Sequence, residues 1–545
     1  MKHIKTGRQT YKHNQMFDVM GTDVQNNIVL KIKPTQVFVS LRPENMAWRR
    51  LLSIGDDNFW AEIVDLDRLQ AGHKRPLHPK MFIDDICNAL FILARKRGLF
   101  KVSATRGYGA WREGNDFVFN LGDRLLVNGR SMPLDNKQTV ENYVGGVALP
   151  YQDEFATDDQ MSEWAESLKD CAFESPHAGR CFVGWLVVAI LGGALDWRPH
   201  LWLIGPSASG KSWLLENVAK RLLGEYLCIT NNVSEAGLSR KLGNATMPVC
   251  IDEAEAETVE QIFIAMRNSA TGFGSRLRAS PGNGVTTDEF VLRSCFLASS
   301  ITVPNMTQRD ASRTVFVRLK RDDNPEEWPA TESAITASLA GGTARRIRNR
   351  IIYDMQAVVV GAQKIKRNLM RSGLSARVAN QYGAILSGYG YVTGADQGFV
   401  REEWVDGISA EIEFTQATLD FDTAMELLLQ TKIDIGNKGE KKSILQIYFP
   451  IATDPDYETV LTDDIERLMW MGIKLTADKH LRIAYNHPDL KRAFQKTKIG
   501  HVNLREVLIQ GGNAVTFPGR KRFGKAILYC AEVKLTSLDL FRAIF

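Results

Sequence analysis

Residues 201–213 read LWLIGPSASGKSW, and this stretch decides the fold of the chain. Its second half completes the pattern G-x-x-x-x-G-K-[ST] of a phosphate-binding loop. The apolar run 201–204 predicts a strand before the loop, and WLLENVAKRLL (213–223) predicts a helix after it. Because the pattern stands between a strand and a helix, it indicates nucleotide binding. The alternative is a glycine-rich turn that only opens a helix.

The predicted nucleotide contacts lie in one continuous segment. In such sites the backbone N–H groups of the loop and of the helix N-terminus surround phosphate oxygens. We expect Lys211 to contact the β- and γ-phosphates and the Ser212 hydroxyl to hold Mg²⁺. ATP and Mg²⁺ are therefore the predicted ligands. The predicted nucleotide-binding residues are Gly205, Pro206, Ser207, Ala208, Ser209, Gly210, Lys211, Ser212 and Trp213.

The composition limits the class of protein. A chain of 545 residues is expected to form about three or four domains, and 44% hydrophobic with 24% charged residues is typical of soluble proteins. The longest apolar run, CFVGWLVVAILGGAL (181–195), is too short for a membrane span and predicts a buried helix. The N-terminal MKHIKTGRQTYKHNQ has no apolar signal-peptide segment, and the seven cysteines form no C-x-x-C pair. We expect a cytoplasmic protein without membrane contact, zinc ribbon or disulfide framework.

The alternation of apolar runs with helical patterns predicts an α/β protein with a parallel, doubly wound sheet. The predicted strands are LWLIG, YLCIT, PVCIDE, FLASS and TVFVRL. Around this P-loop core, 146–325, the sequence predicts an α+β N-terminal domain, 1–145, a helical lid region, 326–435, and a small winged-helix-like domain, 436–545.

Two acids end a predicted strand in MPVCIDEAEAE (247–257). We expect Asp252 to hold Mg²⁺, directly or through water, and Glu253 to act as the general base on the attacking water. The alternative, an acidic helix N-terminus, explains Glu255 and Glu257 better than the first two acids.

A second buried strand ends in polar residues, in SCFLASSITVPN (294–305). A residue at this place in an ATPase core senses the γ-phosphate. The prediction is Ser300, with Ser299 and Asn305 as alternatives, and a plain strand-end turn is the other interpretation.

An arginine stands before the next strand, in QRDASRTVFVRL (308–319). Supplied by a neighbouring subunit, Arg313 would stabilise charge on the phosphoryl group that is transferred, and Arg309 is the alternative. Arg313 could instead be a surface residue paired with Asp310. Arg377 is a further candidate for a nucleotide sensor.

A hairpin is predicted between the two polar strand ends, because PGNG in GFGSRLRASPGNGVTTDEF (272–290) is a strong turn signal. Arg276 and Arg278 on its first strand are predicted to contact DNA, unless this is an ordinary surface hairpin. The net charge is +5, and residues 1–50 carry nine Lys and Arg against three acids. This stretch and a second basic stretch at residues 491–525 fit contact with nucleic acid phosphates, although a solvated face is as good an interpretation of either one alone.

The order of P-loop, acidic strand, hairpin, polar strand end and arginine resembles that of AAA+ ATPases, and among them superfamily 3 helicases. From about residue 35 onward the chain is similar to the helicase part of phage and prophage primase-helicase proteins. The segments that carry this resemblance are RGYGAWREGNDFVFNLGDRLLVNG (106–129), WRPHLWLIGPSASGKS (197–212), DEAEAE (252–257), VLRSCFLASSI (291–301), DASRTVFVRL (310–319) and IAYNHPDL (483–490).

This resemblance implies an ATP-driven motor that unwinds DNA as a hexameric ring around one strand. It carries the roles of ATPase residues over to Lys211, Ser212, Asp252, Glu253 and Arg313. Superfamily 3 proteins usually have an asparagine at the sensor strand end, where this chain has Ser299 and Ser300. Relatives with a primase module carry it, with zinc-binding cysteines, upstream; no such cysteine cluster is present here, so a separate primase is an expected partner.

The predicted function is therefore a replicative DNA helicase of a phage or mobile genetic element, acting on single-stranded or forked DNA. One alternative is an origin-binding or loader ATPase that switches its assembly on DNA without processive unwinding. Another is a non-replicative ATPase of defence or signalling. Tyr108 and Trp111 could stack on bases, although such aromatics are more often core residues.

Overall fold

The fold was obtained as a computed structural model of all 545 residues. It describes residues 3–6, 9–12, 16–33, 35–42, 46–65, 69–73, 75–101, 105–135, 141–230, 235–254, 258–271, 275–279, 287–301, 306, 308–321, 326–395, 400–417, 421–434, 441–453, 463–476, 478, 480–494, 504–510, 514–524 and 526–534.

The N-terminal part has a small core of its own. Trp60 lies fully buried in this core among residues between Phe17 and Ala94. A hairpin of β1 (His3–Thr6) and β2 (Gln9–Lys12) precedes an antiparallel sheet of β3 (Phe17–Thr22), β4 (Ile28–Ile32) and β5 (Val37–Leu41). The helices are Trp48–Leu52, Asp57–Ile63 and Ile83–Arg97, with a 3₁₀ turn at Pro79–Phe82.

A second antiparallel sheet packs against the P-loop region. It consists of β6 (Gly109–Glu113), β7 (Asp116–Asn120), β8 (Arg124–Val127) and β9 (Arg130–Pro133), paired in that order. Ala110 and Phe119 of this sheet are fully buried in the same core as the P-loop helix. The region 1–145 is therefore divided between the N-terminal core, the core of the P-loop helix and a small cluster that includes Trp111 and Tyr143.

The central sheet has five strands, all parallel, in the order β11-β12-β15-β10-β16. This confirms the predicted α/β class with a parallel sheet. The strands are β10 (His200–Ile204), β11 (Cys228–Thr230), β12 (Val249–Ile251), β15 (Phe296–Ser300) and β16 (Thr314–Arg318). Between β12 and β15, the hairpin of β13 (Ser275–Ala279) and β14 (Thr287–Val291) forms a separate two-stranded ribbon.

Helices cover both faces of the central sheet, because the strand side chains alternate between two cores. Leu201 and Leu203 face one core, and Trp202 and Ile204 face the other. The P-loop helix lies on the first face and runs through Lys211–Trp213, a π-helical segment Leu214–Ala219 and Lys220–Leu223. The other helices here are Asp158–Ser167, Pro176–Val188, Glu235–Leu242, Val259–Thr271 and Gln308–Ala311, with 3₁₀ turns at Ala189–Ala194 and Gly224–Tyr226.

One helix in the described part of the chain, Pro176–Ala194, is long and apolar enough to cross a membrane by length and composition, and 83% of its apolar window is buried inside the protein. This helix contains most of the apolar run 181–195, for which the sequence predicts a buried helix. It crosses the helix Ala376–Thr393 closely, because a Cβ at Gly184 would lie 2.1 Å from the carbonyl oxygen of Ile385. The other helices of this region are Trp328–Ser338, Thr343–Tyr353, Met355–Arg371 and Glu402–Ala417.

The outer edge of β16 is covered by the chain itself. The backbone N–H of Phe316 donates a 2.8 Å hydrogen bond to Oε1 of Glu411, which is 7% exposed. The other carboxylate oxygen of Glu411 accepts a hydrogen bond from Tyr382 and lies 3.5 Å from Nε2 of His177. Farther along β16, the segment 172–174 exchanges backbone hydrogen bonds with residues 318 and 320.

The C-terminal part has a further core, which begins at Phe421 and reaches Val533. A ribbon of β17 (Lys432–Asp434) and β18 (Lys441–Ser443) precedes a sheet in the order β19-β20-β22-β21. The strands of this sheet are β19 (Ile473–Leu475), β20 (His480–Ile483), β21 (Val515–Phe523) and β22 (Ala526–Lys534). The helices are Phe421–Gln430, Ile444–Thr453, Asp463–Trp470, Pro488–Phe494 and Leu504–Gln510.

Candidate functional site

The candidate site lies at the carboxyl edge of the central sheet. Carboxyl ends of parallel strands meet at one edge, and ligands of open α/β sheets bind there. Here the loop 205–210 follows β10, Asp252 follows β12, and Ser299 and Ser300 end β15. Because β15 lies between β10 and β12, its polar end stands between the loop and the acid.

The backbone of the loop turns sharply at two residues. Gly210 has a φ of 86° and Ala208 one of 62°, both in the left-handed region. Gly205 is buried, and a Cβ there would lie 2.6 Å from Oγ of Ser209 and 2.8 Å from the carbonyl oxygen of Leu319. Glycine at position 205 therefore allows β16 to approach the loop.

Lys211 is folded over the loop. Its Nζ donates hydrogen bonds to the carbonyl oxygens of Gly205, at 2.6 Å, and Pro206, at 2.8 Å. Burial lowers the pKa of Lys211, and the carboxylates of Asp252 and Glu253 act in the opposite direction. The ammonium group and the two acids thus belong to one electrostatic site.

Asp252 is held by β15. Its Oδ1 accepts hydrogen bonds from the Ser299 hydroxyl, at 2.5 Å, and from the backbone N–H of Glu253, at 3.0 Å. The N–H of Ala254 binds the carbonyl oxygen of Ser299 at 2.8 Å. Glu253 is exposed and has a φ of 52°, a strained conformation that turns the chain at the end of β12.

The two serines of β15 face opposite sides of the sheet. Ser299, 1% exposed, is on the P-loop face, whereas Oγ of Ser300 accepts a 2.8 Å hydrogen bond from Nε1 of Trp202 in the other core. The first choice of sensor, Ser300, thus points away from the phosphate-binding face, because side chains alternate along a strand. The position beside Asp252 belongs to Ser299. Asn305 lies outside the described residues, as do Glu255 and Glu257.

Trp213 forms a contact that the sequence pattern did not indicate. Its ring meets Trp328 edge to face, with centroids 4.9 Å apart, and its Nε1 donates to Oε1 of Glu332 at 3.1 Å. The next residue after the loop serine is therefore bound to the first helix beyond β16. Tryptophan can be recognised in sequence, but its partner more than one hundred residues away cannot.

A group of arginines lies at the opposite edge of the sheet. Arg313 precedes β16, and its Nη1 donates to the carbonyl oxygen of Arg309 at 2.9 Å. Burial and the nearby cations Arg377, Arg267 and Arg309 lower the pKa of Arg313. Arg377, exposed, donates to Oγ of Ser312 at 3.1 Å. We call Arg309, Arg313 and Arg377 the arginine cluster.

In the alternative interpretation Arg313 is a surface residue paired with Asp310, but Asp310 has another arginine as its ion-pair partner. Asp310 is 3% exposed and forms an ion pair with Arg267. Among the described residues, Nε of Arg313 is buried without a hydrogen-bond partner. Because a strand of five residues spans about 17 Å, Arg313 at the amino edge is too far from the loop of its own chain to reach it.

The backbone register of the predicted hairpin is defined. Arg276 pairs with Phe290 and Arg278 with Asp288, while the PGNG turn and the side chains of both arginines lie outside the described part. Trp111 is 3% exposed, and its Nε1 donates to the carbonyl oxygen of Gly107, so it is a core residue. The hydroxyl of Tyr108 donates to the carbonyl oxygen of Val147 at 3.1 Å.

The residues at the carboxyl edge fit a hard divalent cation, which prefers oxygen ligands. Ser212 is exposed at the start of the P-loop helix, and Asp252 is partly exposed with Oδ1 fixed by two donors. Within the described part, Oδ2 of Asp252 is left without a hydrogen bond. A hydroxyl and a carboxylate oxygen would thus hold Mg²⁺.

Comparison with known proteins gives solved structures only. No protein-family model and no curated protein matches the chain. The active helicase Cch of SCCmec type IV is similar with 12% sequence identity, over 98% of this chain and 96% of that chain, at a TM-score of 0.49. The A form apo structure of the NrS-1 C-terminal region is similar with 13% identity, over 85% of this chain and 95% of that chain, at a TM-score of 0.31.

Proposed function

We propose that the chain is an ATP-driven DNA helicase that acts as a hexameric ring in the replication of a phage or mobile genetic element. The observation that carries this proposal is the distribution of charged residues over the two edges of one parallel sheet. Lys211 and Asp252 lie at the carboxyl edge, and the arginine cluster lies at the amino edge. A complete site then needs two subunits.

At the carboxyl edge, the loop N–H groups and Lys211 bind the ATP phosphates. Ser212 and Asp252 hold Mg²⁺, which when bound neutralises charge on the phosphate oxygens. Ser299 fixes the orientation of Asp252 through its hydroxyl. Glu253, exposed on a strained turn next to Asp252, accepts the proton of the attacking water.

At the amino edge, Arg313 acts on the site of the neighbouring subunit. Its guanidinium stabilises the charge that develops on the transferred phosphoryl group. Arg377, which lies in the same cluster, supports the positive potential there. This arrangement couples hydrolysis to movement between subunits.

The DNA contacts of the motor are assigned to the hairpin 275–291. Arg276 and Arg278 stand at alternate positions of β13 and are proposed to bind the backbone of single-stranded or forked DNA. The ribbon leaves the sheet between the acidic strand and the sensor strand, so hydrolysis at their ends can move it. A separate primase is the proposed partner for priming.

The test is ATP hydrolysis with and without single-stranded DNA, together with strand displacement on a forked duplex. The variant is Lys211→Ala, and the matched control is Lys220→Ala, which removes an exposed lysine of the same helix paired with Glu216. We expect hydrolysis stimulated by DNA, unwinding by wild type and control, and loss of both activities by about 100-fold or more in Lys211→Ala. Hydrolysis that ignores DNA, without unwinding, would contradict the helicase and favour a switch-type ATPase.

A further inference from the structure

In the C-terminal sheet, β21 and β22 stay paired with each other as a two-stranded ribbon beyond the point where the pairing of β22 with β20 ends. Pairing of β20 with β22 runs from His480 and Lys534 to Ile483 and Ala531. The pairs of β21 with β22 continue to Phe523 and Ala526. Residues 519–523 and 526–530 therefore form the free arm of the ribbon.

One face of this arm is exposed and consists of two cross-strand pairs. Arg520 is opposite Tyr529, and Arg522 is opposite Ile527. Tyr529 is 52% exposed and Ile527 is 60% exposed. Phe523 and Cys530 on the other face are 1% exposed and pack with Ala484. We call Arg520, Arg522, Ile527 and Tyr529 the ribbon face.

The ribbon face is positively charged. The two strands contain four basic residues and one acid, Glu532. That acid is bound by Arg482 of β20, from Nε at 2.5 Å. Within the described residues neither Arg520 nor Arg522 has an acidic partner, and the guanidinium of Arg520 lies 4.8 Å from the ring centroid of Tyr529.

We propose that the ribbon face binds single-stranded DNA. Arg520 and Arg522 bind phosphates, and the exposed half of the Tyr529 ring stacks on a base. The exposed ring of Tyr529 can stack on a flat apolar group, and the two guanidinium groups beside it can bind anions. Single-stranded DNA offers both, because its bases are exposed and its phosphates are charged. A duplex hides its base faces, and a protein partner would need acidic groups together with an apolar pocket.

This proposal rests on the proposed function only for its biological role, namely a second DNA contact of the motor. Binding itself requires no hydrolysis. It is therefore tested without ATP in the full chain carrying Lys211→Ala, so that failure of the motor and failure of the ribbon face give different results.

The experiment measures the affinity for a labelled oligothymidylate and for a duplex of the same length by fluorescence anisotropy. The variants are Tyr529→Ala, Tyr529→Phe and Arg520→Ala with Arg522→Ala. The control is Lys96→Ala with Arg97→Ala, which removes the same charge from two exposed residues of the N-terminal part. Equal thermal transitions establish that each variant is folded.

We expect Tyr529→Ala to weaken binding of the single strand about 5- to 100-fold, and Tyr529→Phe to bind as the parent does. The double arginine variant should bind more weakly than the control. The slope of log K against log salt concentration should be smaller in magnitude by about 0.7 for each lost phosphate contact. Binding of the single strand equal to that of the control in all three variants would overturn the proposal. Substitutions that weaken binding of the duplex but not of the single strand would also overturn it.

Discussion

The hydroxyl of Ser299 donates a 2.5 Å hydrogen bond to Oδ1 of Asp252, and this bond joins the ends of two neighbouring parallel strands. The position of the carboxylate therefore depends on β15 as well as on its own strand. Since β15 also pairs with β10, the bond connects the acid to the strand that leads into the loop before Lys211.

Replacement of the two serines of β15 should separate their roles. We expect Ser299→Ala to lower the rate of ATP hydrolysis about 10- to 100-fold while nucleotide binding is largely retained, because Asp252 loses a buried donor. Ser300→Ala, which removes the bond from Trp202 on the other face of the sheet, is the matched control and should stay within about twofold of wild type. The measurement is kcat together with the affinity for nucleotide. Equal effects of both substitutions would contradict the assignment of Ser299.

Arg313 should act between subunits. Arg313→Ala and Lys211→Ala are each expected to have little activity alone, but an equal mixture should regain hydrolysis. In a mixed ring, about a quarter of the interfaces combine an intact loop with an intact arginine. The control variant is Arg371→Ala, used in place of Arg313→Ala. Arg371 is exposed and lies outside the arginine cluster, so this variant should be active without mixing. A mixture as inactive as its components would show that Arg313 does not complete a neighbouring site.

His200 should make the stability of the central sheet depend on pH. It is fully buried, its Nε2 lies 2.7 Å from the carbonyl oxygen of Met266, and its Nδ1 accepts from the N–H of Phe296. Burial, with smaller contributions from Arg198 and Arg313, lowers its pKa to about 3. The folded protein therefore keeps this ring neutral, whereas the unfolded chain protonates it below about pH 6.5.

The sign of the effect follows from this difference. The free energy of unfolding should be nearly unaffected by His200 above about pH 7.5 and should fall as the pH drops toward 3, by about 1.4 kcal/mol at pH 5.5. The measurement is denaturant unfolding of wild type and His200→Gln at about pH 7.5 and 5.5. The other histidines contribute equally to the two proteins, so the difference between their pH dependences gives the contribution of His200. A pH dependence that is the same in the variant would contradict this role of His200.

The parallel sheet was predictable because each strand is a short apolar run, and the runs alternate with helical patterns. The positions of the loop after β10 and of Asp252 after β12 were predictable from the same signals, since strand and pattern coincide there. The choice between Ser299 and Ser300 was not predictable. It depends on which face of β15 meets the P-loop helix, and that is set by the register of Leu203 with Ser299 rather than by β15 alone.

Contacts between distant segments also escaped the sequence. Arg377, on a helix beyond β16, donates a hydrogen bond to Ser312 beside Arg313, and the Trp213 ring contacts Trp328 on another helix beyond that strand. The strands 109–133 share the core of the P-loop region although composition groups them with the N-terminal part. Each of these depends on tertiary packing, for which hydrophobic periodicity gives the buried face but not its partner.

The cover over β16 has a consequence for how copies of this chain associate. A terminal strand with unpaired N–H and C=O groups is a template on which another chain can add a strand. Here Glu411 and the segment 172–174 occupy that edge. While they are in place, this edge offers no free row of backbone groups to a strand of another copy, so a copy that meets the protein at this side would contact side chains instead of extending the sheet.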